Sequence, residues 1–346
     1  MTHSKRFDYI DIARGICIAF MVVGHCYSTD SEAASWFIAF FYSFHVPFFF
    51  ILSGVLAHIK EMNTNQADQP AIRSILIRKT RTVLLPYMVW GSLYLLFLAA
   101  LAIIGGADPK AKLFDSLTMF LRFTGSAMWF LPVFFLASVL LSLLQRLPRF
   151  ALVAVGTAVI LLGLYLNDFK NSYILFLIHA AVGLGFMAIG YTLPNILFRE
   201  KQKWFVLLPF VMIDAFAIIK NGCTSLVGNV FGDPLLYLLT GILGSWLVIQ
   251  IAMRLPERFF LSRGWQKLGK YSIIILCLHQ FVIHIIRLID YKLFGDLLPR
   301  TGFFEGIILS ALTLTILYFC IPLILRLFWW SFGLRSPWKK KETESS

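Results

Sequence analysis

The sequence has few charged residues: they make up 14% of its 346 positions, whereas hydrophobic residues make up 59%. A soluble domain needs roughly 25% charged residues to keep its surface in water. The shortage therefore excludes an ordinary soluble protein and predicts a polytopic membrane protein. Acidic residues are scarcer than basic ones, 18 against 31. In a soluble protein that excess would indicate nucleic-acid binding, but here the basic residues lie between apolar stretches, where they indicate membrane orientation instead.

Cysteine is also scarce, and the five cysteines stand singly, with no CxxC spacing, at Cys17, Cys26, Cys223, Cys277 and Cys320. This pattern supports neither a disulfide framework nor a structural zinc site, and no metal is predicted. A cleavable signal peptide is not expected either, because Asp8 and Asp11 interrupt the first apolar stretch and no small-residue cleavage site follows.

Long apolar stretches are plentiful, and a bilayer core takes about 20 apolar residues per helix. They predict an all-α integral membrane protein with ten spans, at 9–28, 36–57, 83–104, 128–145, 150–167, 173–193, 204–220, 234–253, 271–290 and 303–329. With a cytoplasmic N-terminus, 22 basic residues lie in inside segments and eight in outside segments. The positive-inside rule therefore predicts that both termini are cytoplasmic. One membrane domain is predicted over 1–335, and a basic then acidic cytoplasmic tail over 336–346.

Polar residues in the first span need an explanation, because a charged side chain at a helix centre costs about 2.5–3.5 kcal/mol. Asp11 precedes Arg14 by three residues, so the two can form an ion pair. Arg14 and His25 are eleven residues apart, which on a helix is about 16 Å along the axis and within about 20° in direction. They are therefore predicted to line one face at two depths. The alternatives are a capped, snorkelling helix start for the charged residues and a simple packing role for His25.

Two more groups of polar residues follow. Pro47 in the second span leaves a carbonyl near Ser43 without its helical donor, and His45 or a water can satisfy it. Arg78 and Arg81 then follow at a spacing of three, which places two guanidinium groups on one side of a short helix and suits phosphate oxygens. Positive-inside anchoring explains these two arginines equally well.

Trp129, His279 and Glu305 complete the candidates. Trp129 is predicted at the outer start of the fourth span, where tryptophan is commonly an interfacial belt residue. His279 is a second histidine within an apolar span. Glu305 is predicted near the outer end of the last span, at a depth from which it can orient His25 or share its proton.

The ordered set formed by Arg14 and His25, the segment 44–54, Arg78 and Arg81, Trp129 to Leu131, and the segment 268–279 resembles the acyltransferase type 3 family. These are bacterial multi-pass inner-membrane O-acyltransferases that modify surface and secreted polysaccharides. The resemblance covers nearly the whole chain, whose small form looks like the fucose 4-O-acetylase-like branch without the SGNH domain of some members. It implies about ten spans, acetyl-CoA used from the cytoplasm, a glycan acceptor met in or outside the membrane, and polysaccharide-assembly proteins as partners.

Residue by residue, the resemblance assigns Arg14 and His25 to the family's essential pair and Arg78 and Arg81 to the RxxR motif proposed to hold acyl-CoA. Trp129 matches a WFL element that has no assigned chemical role. His25 is expected to be the general base on a sugar hydroxyl or, alternatively, a transient acyl carrier. Either role needs a neutral imidazole, so activity should fall on acidification.

Two competing hypotheses stand beside the enzyme. A proton-coupled transporter or flippase of a lipid-linked sugar or small metabolite would use Arg14 and His25 as a relay, and a scaffold of a polysaccharide-assembly complex would have lost catalysis. A transporter predicts polar residues spread over several midplane helices. Here the ionisable groups are concentrated in the first three spans and their inner loop, which favours the enzyme.

Overall fold

The computed structural model describes residues 8–27, 32–62, 71–124, 126–166, 171–193, 200–226, 228–255, 260–298 and 302–334. The predicted tail over 336–346 lies outside them. Within these ranges the chain is almost entirely helical, and the only extended pairing is an isolated antiparallel bridge between Ser225 and Val230.

Fourteen α-helices are described in chain order. They are α1 Asp8–Cys26, α2 Glu32–Tyr42, α3 His45–Met62, α4 Ile72–Lys79, α5 Leu85–Ile104, α6 Pro109–Leu121, α7 Phe130–Leu144, α8 Arg149–Tyr165, α9 Ser172–Thr192, α10 Trp204–Asn221, α11 Pro234–Ala252, α12 Phe260–Lys270, α13 Ser272–Phe294 and α14 Phe303–Phe328. A π-helical turn, Thr80–Leu84, joins α4 to α5, and short 3-10 helices lie at Ala127–Trp129 and Trp329–Phe332.

Nine helical segments of the described chain are long and apolar enough to cross a membrane. They match nine of the ten predicted spans and confirm an all-α multi-pass membrane protein. The tenth, predicted at 150–167, is the apolar helix α8, whose 17 residues reach the lower end of the length needed to span a bilayer. Two helices were not predicted: α6 and α12 lie in segments that the sequence analysis left between spans.

Helix α1 lies at the centre of the bundle, in contact with α2, α3, α11, α12, α13 and α14. Its contact with α12 is a backbone-to-backbone approach. A Cβ at Gly15 would overlap the carbonyl of Trp265, and a Cβ at Gly269 would overlap the carbonyl of Asp11. Glycine at both positions lets the short, amphipathic α12 lie directly against the first half of α1.

A second close approach joins α3 to α9. Gly54 faces the carbonyl of Met187, and Gly190 faces the carbonyl of Ile51, so a Cβ at either glycine would overlap backbone atoms. Small residues of this kind let two helices approach closely. The contact fixes α3, one wall of the cavity described below.

The second predicted span is not one helix. It breaks after Tyr42, and α3 restarts at His45, two residues before Pro47. The His45 ring Nδ1 lies 2.8 Å from the carbonyl oxygen of Phe41, to which it donates. His45 thus satisfies a carbonyl near Ser43, as the sequence predicts, and that carbonyl belongs to Phe41. A helix interruption within one apolar stretch leaves the hydropathy profile unchanged, so hydropathy does not predict it.

The unpredicted helix α6 folds back along α5. Near the end of α6, Phe120 stacks on the ring of Tyr87 at 4.6 Å between centroids and accepts a 2.6 Å hydrogen bond from its hydroxyl. Tyr87 lies in the first turn of α5, so the chain re-enters the bundle before α7 begins. Trp129, just before α7, is 6% exposed and is therefore packed inside the protein rather than turned outward as a belt residue would be.

Candidate active site

A cavity of about 560 Å³ lies between α1, α3, α4 and α7 and is partly closed by residues of the 3-10 turn before α7 and of α13. This volume falls in the range of about 300–1,000 Å³ that is usual for small-molecule sites. The part of its wall contributed by α1 consists of Arg14, Ile18, Met21 and His25. The structure thus places Arg14 and His25 in one cavity, at the two depths that their spacing predicted.

One end of this cavity is strongly basic. We call it the basic end, and its cationic side chains are Arg14, Lys60, Arg78, Lys79 and Lys270. They come from the start of α1 and the C-terminal ends of α3, α4 and α12, so four separate helices bring positive charge to one place. Glu61 supplies a carboxylate to the same part of the wall. Several clustered ammonium and guanidinium groups form a site suited to phosphate oxygens.

The two arginines predicted to act together are separated by the structure. Arg78 lines the cavity, whereas Arg81 lies in the π-helical turn, and its backbone packs against Gly333. A π-helical turn holds more residues than an α-helical turn, so the spacing of three no longer keeps two side chains on one face. Thr82 faces the cavity within this turn.

The cation that lines the cavity beside Arg78 is Lys79 and not Arg81, which the spacing predicted. Its ammonium nitrogen lies 5.0 Å from the ring centroid of Phe134 on α7, which is within the range of a cation–π interaction. Both residues line the cavity. The aromatic ring therefore holds this lysine toward the cavity rather than toward lipid.

Arg14 is positioned by a neighbour on its own helix. The Nη1 atom of Arg14 lies 3.7 Å from Oδ1 of Asp11, whose side chain is almost completely buried. Asp11 itself does not line the cavity. The ion pair predicted from the spacing of three is thus present, and its role here is to orient the guanidinium.

Three histidines meet at the other end of the cavity. His25 and His45 line it, and the ring centroid of His279 lies 5.1 Å from that of His25. His279 is fully buried behind His25, and its Nδ1 lies 3.0 Å from the carbonyl oxygens of Ile275 and Leu276.

The two outer histidines have a tautomer set by the backbone. A carbonyl oxygen can only accept, so Nδ1 carries the proton in both His45 and His279, and Nε2 is the acceptor in each neutral ring. Among the described residues, Nε2 of His279 is buried and has no hydrogen-bond partner. His25 therefore shares this end of the cavity with two imidazoles whose protonation pattern is fixed by main-chain atoms.

Of the remaining candidates, Trp129 lines the cavity and Glu305 does not. Trp129 lines the cavity with its ring packed against His179, 5.5 Å between centroids. Glu305 folds back over Gly302 at the start of α14 and is absent from the described walls of the cavity. The predicted approach of Glu305 to His25 is not formed, because its side chain turns toward the N-terminus of its own helix.

Sequence reasoning missed most of the basic end. Lys60, Lys79 and Lys270 have the sequence signature of positive-inside anchors, and no sequence pattern distinguishes Tyr42, yet all four line the cavity. The available signal was weak: each lysine ends a helix or adjoins a predicted arginine. Their convergence depends on the chain fold, which hydropathy does not encode.

Comparison with known proteins agrees with this geometry. A family model described as an acyltransferase domain matches residues 7–327, a range that includes every residue lining the cavity. Searches of curated proteins and of solved structures found no match. The chain is a membrane acyltransferase, and it belongs to the acyltransferase type 3 family.

Proposed function

We propose that this protein moves an acetyl group from cytoplasmic acetyl-CoA to a hydroxyl group of a cell-surface or secreted glycan, with His25 as the general base. The observation that carries the proposal is the single cavity that connects the basic end to His25. The basic residues lie where an anionic donor would be held, and the imidazole lies where a proton must be taken.

The donor fits the charge of the site. Acetyl-CoA carries phosphate groups at one end and a thioester at the other, with a flexible pantetheine arm between them. Arg14, Arg78 and Lys79 would contact the phosphates, assisted by Lys60 and Lys270. The offset of about 16 Å between Arg14 and His25 is comparable to the length of an extended pantetheine arm.

The transfer step uses one imidazole twice. A nitrogen of His25 takes the proton of the acceptor hydroxyl while the oxygen attacks the thioester carbonyl carbon. The carbon–sulfur bond then breaks, and the imidazolium returns its proton to the departing CoA thiolate. The products are an acetyl ester and free CoA, so protons and electrons balance without a further reactant.

His45 and His279 are supporting residues in this account. Backbone carbonyls hold each ring in a fixed tautomer near His25. The cavity wall also contains Phe130 and Phe134 of α7 and Trp129 of the 3-10 turn that precedes it. An apolar wall of this kind excludes water, which would otherwise compete with the acceptor for the acetyl group.

The orientation follows from the distribution of charge. The basic end belongs to the side that the positive-inside rule assigns to the cytoplasm, where acetyl-CoA is made. A bacterial inner membrane and a glycan acceptor then agree with the family resemblance. Polysaccharide-assembly proteins are natural partners, because they would present the acceptor.

Free-CoA release from acetyl-CoA tests the role of His25. The purified protein is assayed with a cell-envelope glycan extract, and wild type is compared with His25→Ala and His58→Ala. His58 is a buried histidine that packs edge-on against Tyr191 and is outside the described cavity wall. General-base catalysis contributes about 10²–10⁴-fold, so release should fall by that factor in His25→Ala and stay near wild type in His58→Ala.

Thermal stabilisation by CoA tests the donor site separately. CoA should raise the unfolding temperature of wild type and of His25→Ala, because a ligand that binds only the folded state stabilises it. Arg78→Ala should lose most of this shift, and Arg81→Ala should keep it. If wild type releases no CoA and is not stabilised by CoA, with or without the glycan extract, the transporter hypothesis is favoured. Uptake of a lipid-linked sugar would then be the next measurement.

A further inference from the structure

A second, smaller cavity of about 180 Å³ lies on the other side of His25. The residues that line it are His25, Tyr27, Gln280, Ile283, His284 and Arg287. His25 is the one residue that the described walls of the two cavities have in common. The imidazole that faces the proposed donor site therefore also faces a separate space.

The second cavity lies farther from the basic end than the first. Helix α13 begins at Ser272, which lines the large cavity, and Gln280 and Arg287 follow about 12 and 22 Å along the axis. Tyr27 directly follows the last residue of α1. The second cavity thus lies beyond His25 as seen from the basic end.

The wall of the second cavity is polar and organised. Gln280, Ile283, His284 and Arg287 stand at helical positions i, i+3, i+4 and i+7, so one face of α13 is turned toward the cavity. Neighbouring elements hold these side chains in place. The side-chain Oε1 of Gln280 accepts from the backbone amide of Ala127 at 3.2 Å, and His284 Nε2 lies 3.0 Å from the Tyr94 hydroxyl.

Two further hydrogen bonds tie the cavity to the end of α1. Arg287 Nη2 donates to the carbonyl oxygen of Cys26 at 2.6 Å, and the Tyr27 hydroxyl donates to the carbonyl oxygen of Phe303 at 2.6 Å. These bonds hold the guanidinium and the phenol beside His25. The cavity is therefore formed by the fold itself rather than by loose side chains.

We propose that the second cavity is the acceptor subsite and that it takes one neutral or acidic sugar ring, whose hydroxyl group reaches His25. Amide, imidazole, guanidinium and phenol groups all form hydrogen bonds with hydroxyls, and the space is of the size of a single ring. Among the described lining residues Arg287 carries the permanent charge, and the Glu305 carboxylate of α14 lies outside the wall, near Tyr27. A sugar that carries an amine would meet like charge, whereas a carboxylate would be attracted.

This inference rests on the proposed acetyl transfer at His25, and it adds where the hydroxyl comes from. The acceptor oxygen would lose its proton to His25 from the second cavity and attack the thioester carbonyl carbon from the large one. CoA leaves toward the basic end with the proton returned by the imidazolium. Each substrate occupies its own cavity, so both can be bound beside His25 at the same time.

The test measures acetyl transfer from acetyl-CoA to three small probes: methyl glucoside, methyl glucuronide and methyl glucosaminide. Wild type should acetylate the first two and should act on the amine-bearing probe with a kcat/KM lower by about tenfold or more. Ile283→Phe fills the cavity without removing a polar group. It should lower transfer to the first two probes by about tenfold or more, because a displaced acceptor loses its reactive geometry.

A matched control keeps the result specific. Ile285→Phe makes the same change on the lipid-exposed face of α13, where Ile285 is 44% exposed, and should leave transfer at the wild-type level. CoA stabilisation should be the same in both variants and in wild type. Transfer by Ile283→Phe at the wild-type rate, or a preference for the amine-bearing probe, would overturn the proposal.

A second variant guards against loss of folding in Ile283→Phe. Arg287→Gln should lower the ratio of transfer to the glucuronide over the glucosaminide by about tenfold, and this ratio does not depend on how much protein is folded. An unchanged ratio would contradict the role of the guanidinium. Transfer to a native envelope extract but to none of the probes would overturn the single-ring acceptor. Absence of both CoA stabilisation and CoA release would instead contradict the proposed function.

Discussion

Helices α1 and α10 are spans of nearly the same length and hydropathy in opposite surroundings. They contain 19 and 18 residues, with mean hydropathies of 1.5 and 1.7. Yet 61% of the residues in the most apolar 18-residue stretch of α1 are buried inside the protein, against 17% for α10. Six helices surround α1, whereas α10 packs mainly on α11 and presents most of its large side chains outward.

The difference shows what polar residues in a span can signify. Asp11, Arg14 and His25 lie on the buried helix, where an ion pair and a cavity offset the cost of their desolvation. Asp214 on α10 is buried too, but among the described residues its Oδ1 atom has no hydrogen-bond partner. Similar hydropathy thus conceals one helix that carries a site and another that forms the lipid-facing edge.

The largest expected effect is on the packing of α1. Gly269→Leu should prevent the approach of α12, because the new side chain would overlap the carbonyl of Asp11. We expect destabilisation of about 3 kcal/mol or more, or loss of folded protein, measured as thermal unfolding and monodispersity in detergent. Ala215→Leu on the exposed face of α10 is the matched change and should be nearly neutral. Equal damage in both variants would remove the distinction between the two helices.

The next effect concerns charge on the two helices. Arg14→Ala should raise the KM for acetyl-CoA by about 10–100-fold, because a charge-assisted hydrogen bond is worth about 1.5–3 kcal/mol. Lys220→Ala, at the end of α10, should leave the KM unchanged, since its ammonium lies over the ring of Phe216, away from the cavity. Steady-state kinetics at saturating acceptor separate the two. An unchanged KM in Arg14→Ala would contradict the placement of the donor.

The smallest effect is expected at Asp214. Asp214→Asn keeps the size of the side chain and removes a buried acid, so stability should change by no more than about 1 kcal/mol and transfer should be unaffected.

Asp11→Asn should instead weaken transfer several-fold by releasing Arg14 from its ion pair. Unfolding curves and CoA release report both results. A loss of transfer in Asp214→Asn as large as that in Arg14→Ala would give α10 a functional role.

Much of this architecture follows from the sequence, and the exceptions have physical causes. Apolar length predicted the spans, and helical periodicity predicted that Arg14 and His25 share a face. The break after Tyr42, the return of α6 and the π-helical turn beside Arg78 depend on packing between distant segments, which no local pattern records. For the same reason the lysines of the basic end were read as anchors, and Glu305 was expected beside a histidine that it does not approach.

The second cavity was beyond the reach of the sequence for a similar reason. Gln280, His284 and Arg287 form a helical face that periodicity alone reveals, but nothing local shows that this face meets the end of α1. The resemblance to a family identified His25 without showing that it stands between two spaces. That property belongs to the packing of α1 against α13.

The central claim is that the donor reaches His25 through a continuous cavity that starts at the basic end and meets the acceptor there. The most direct measurement is acetyl transfer by Ile18→Trp, which narrows the cavity between Arg14 and His25, with Ser53→Trp as the equivalent change from the α3 wall. Both variants should still be stabilised by CoA through contacts at the basic end, and transfer should fall by about 100-fold or more. Stable variants that bind CoA and transfer acetyl at the wild-type rate would contradict the account.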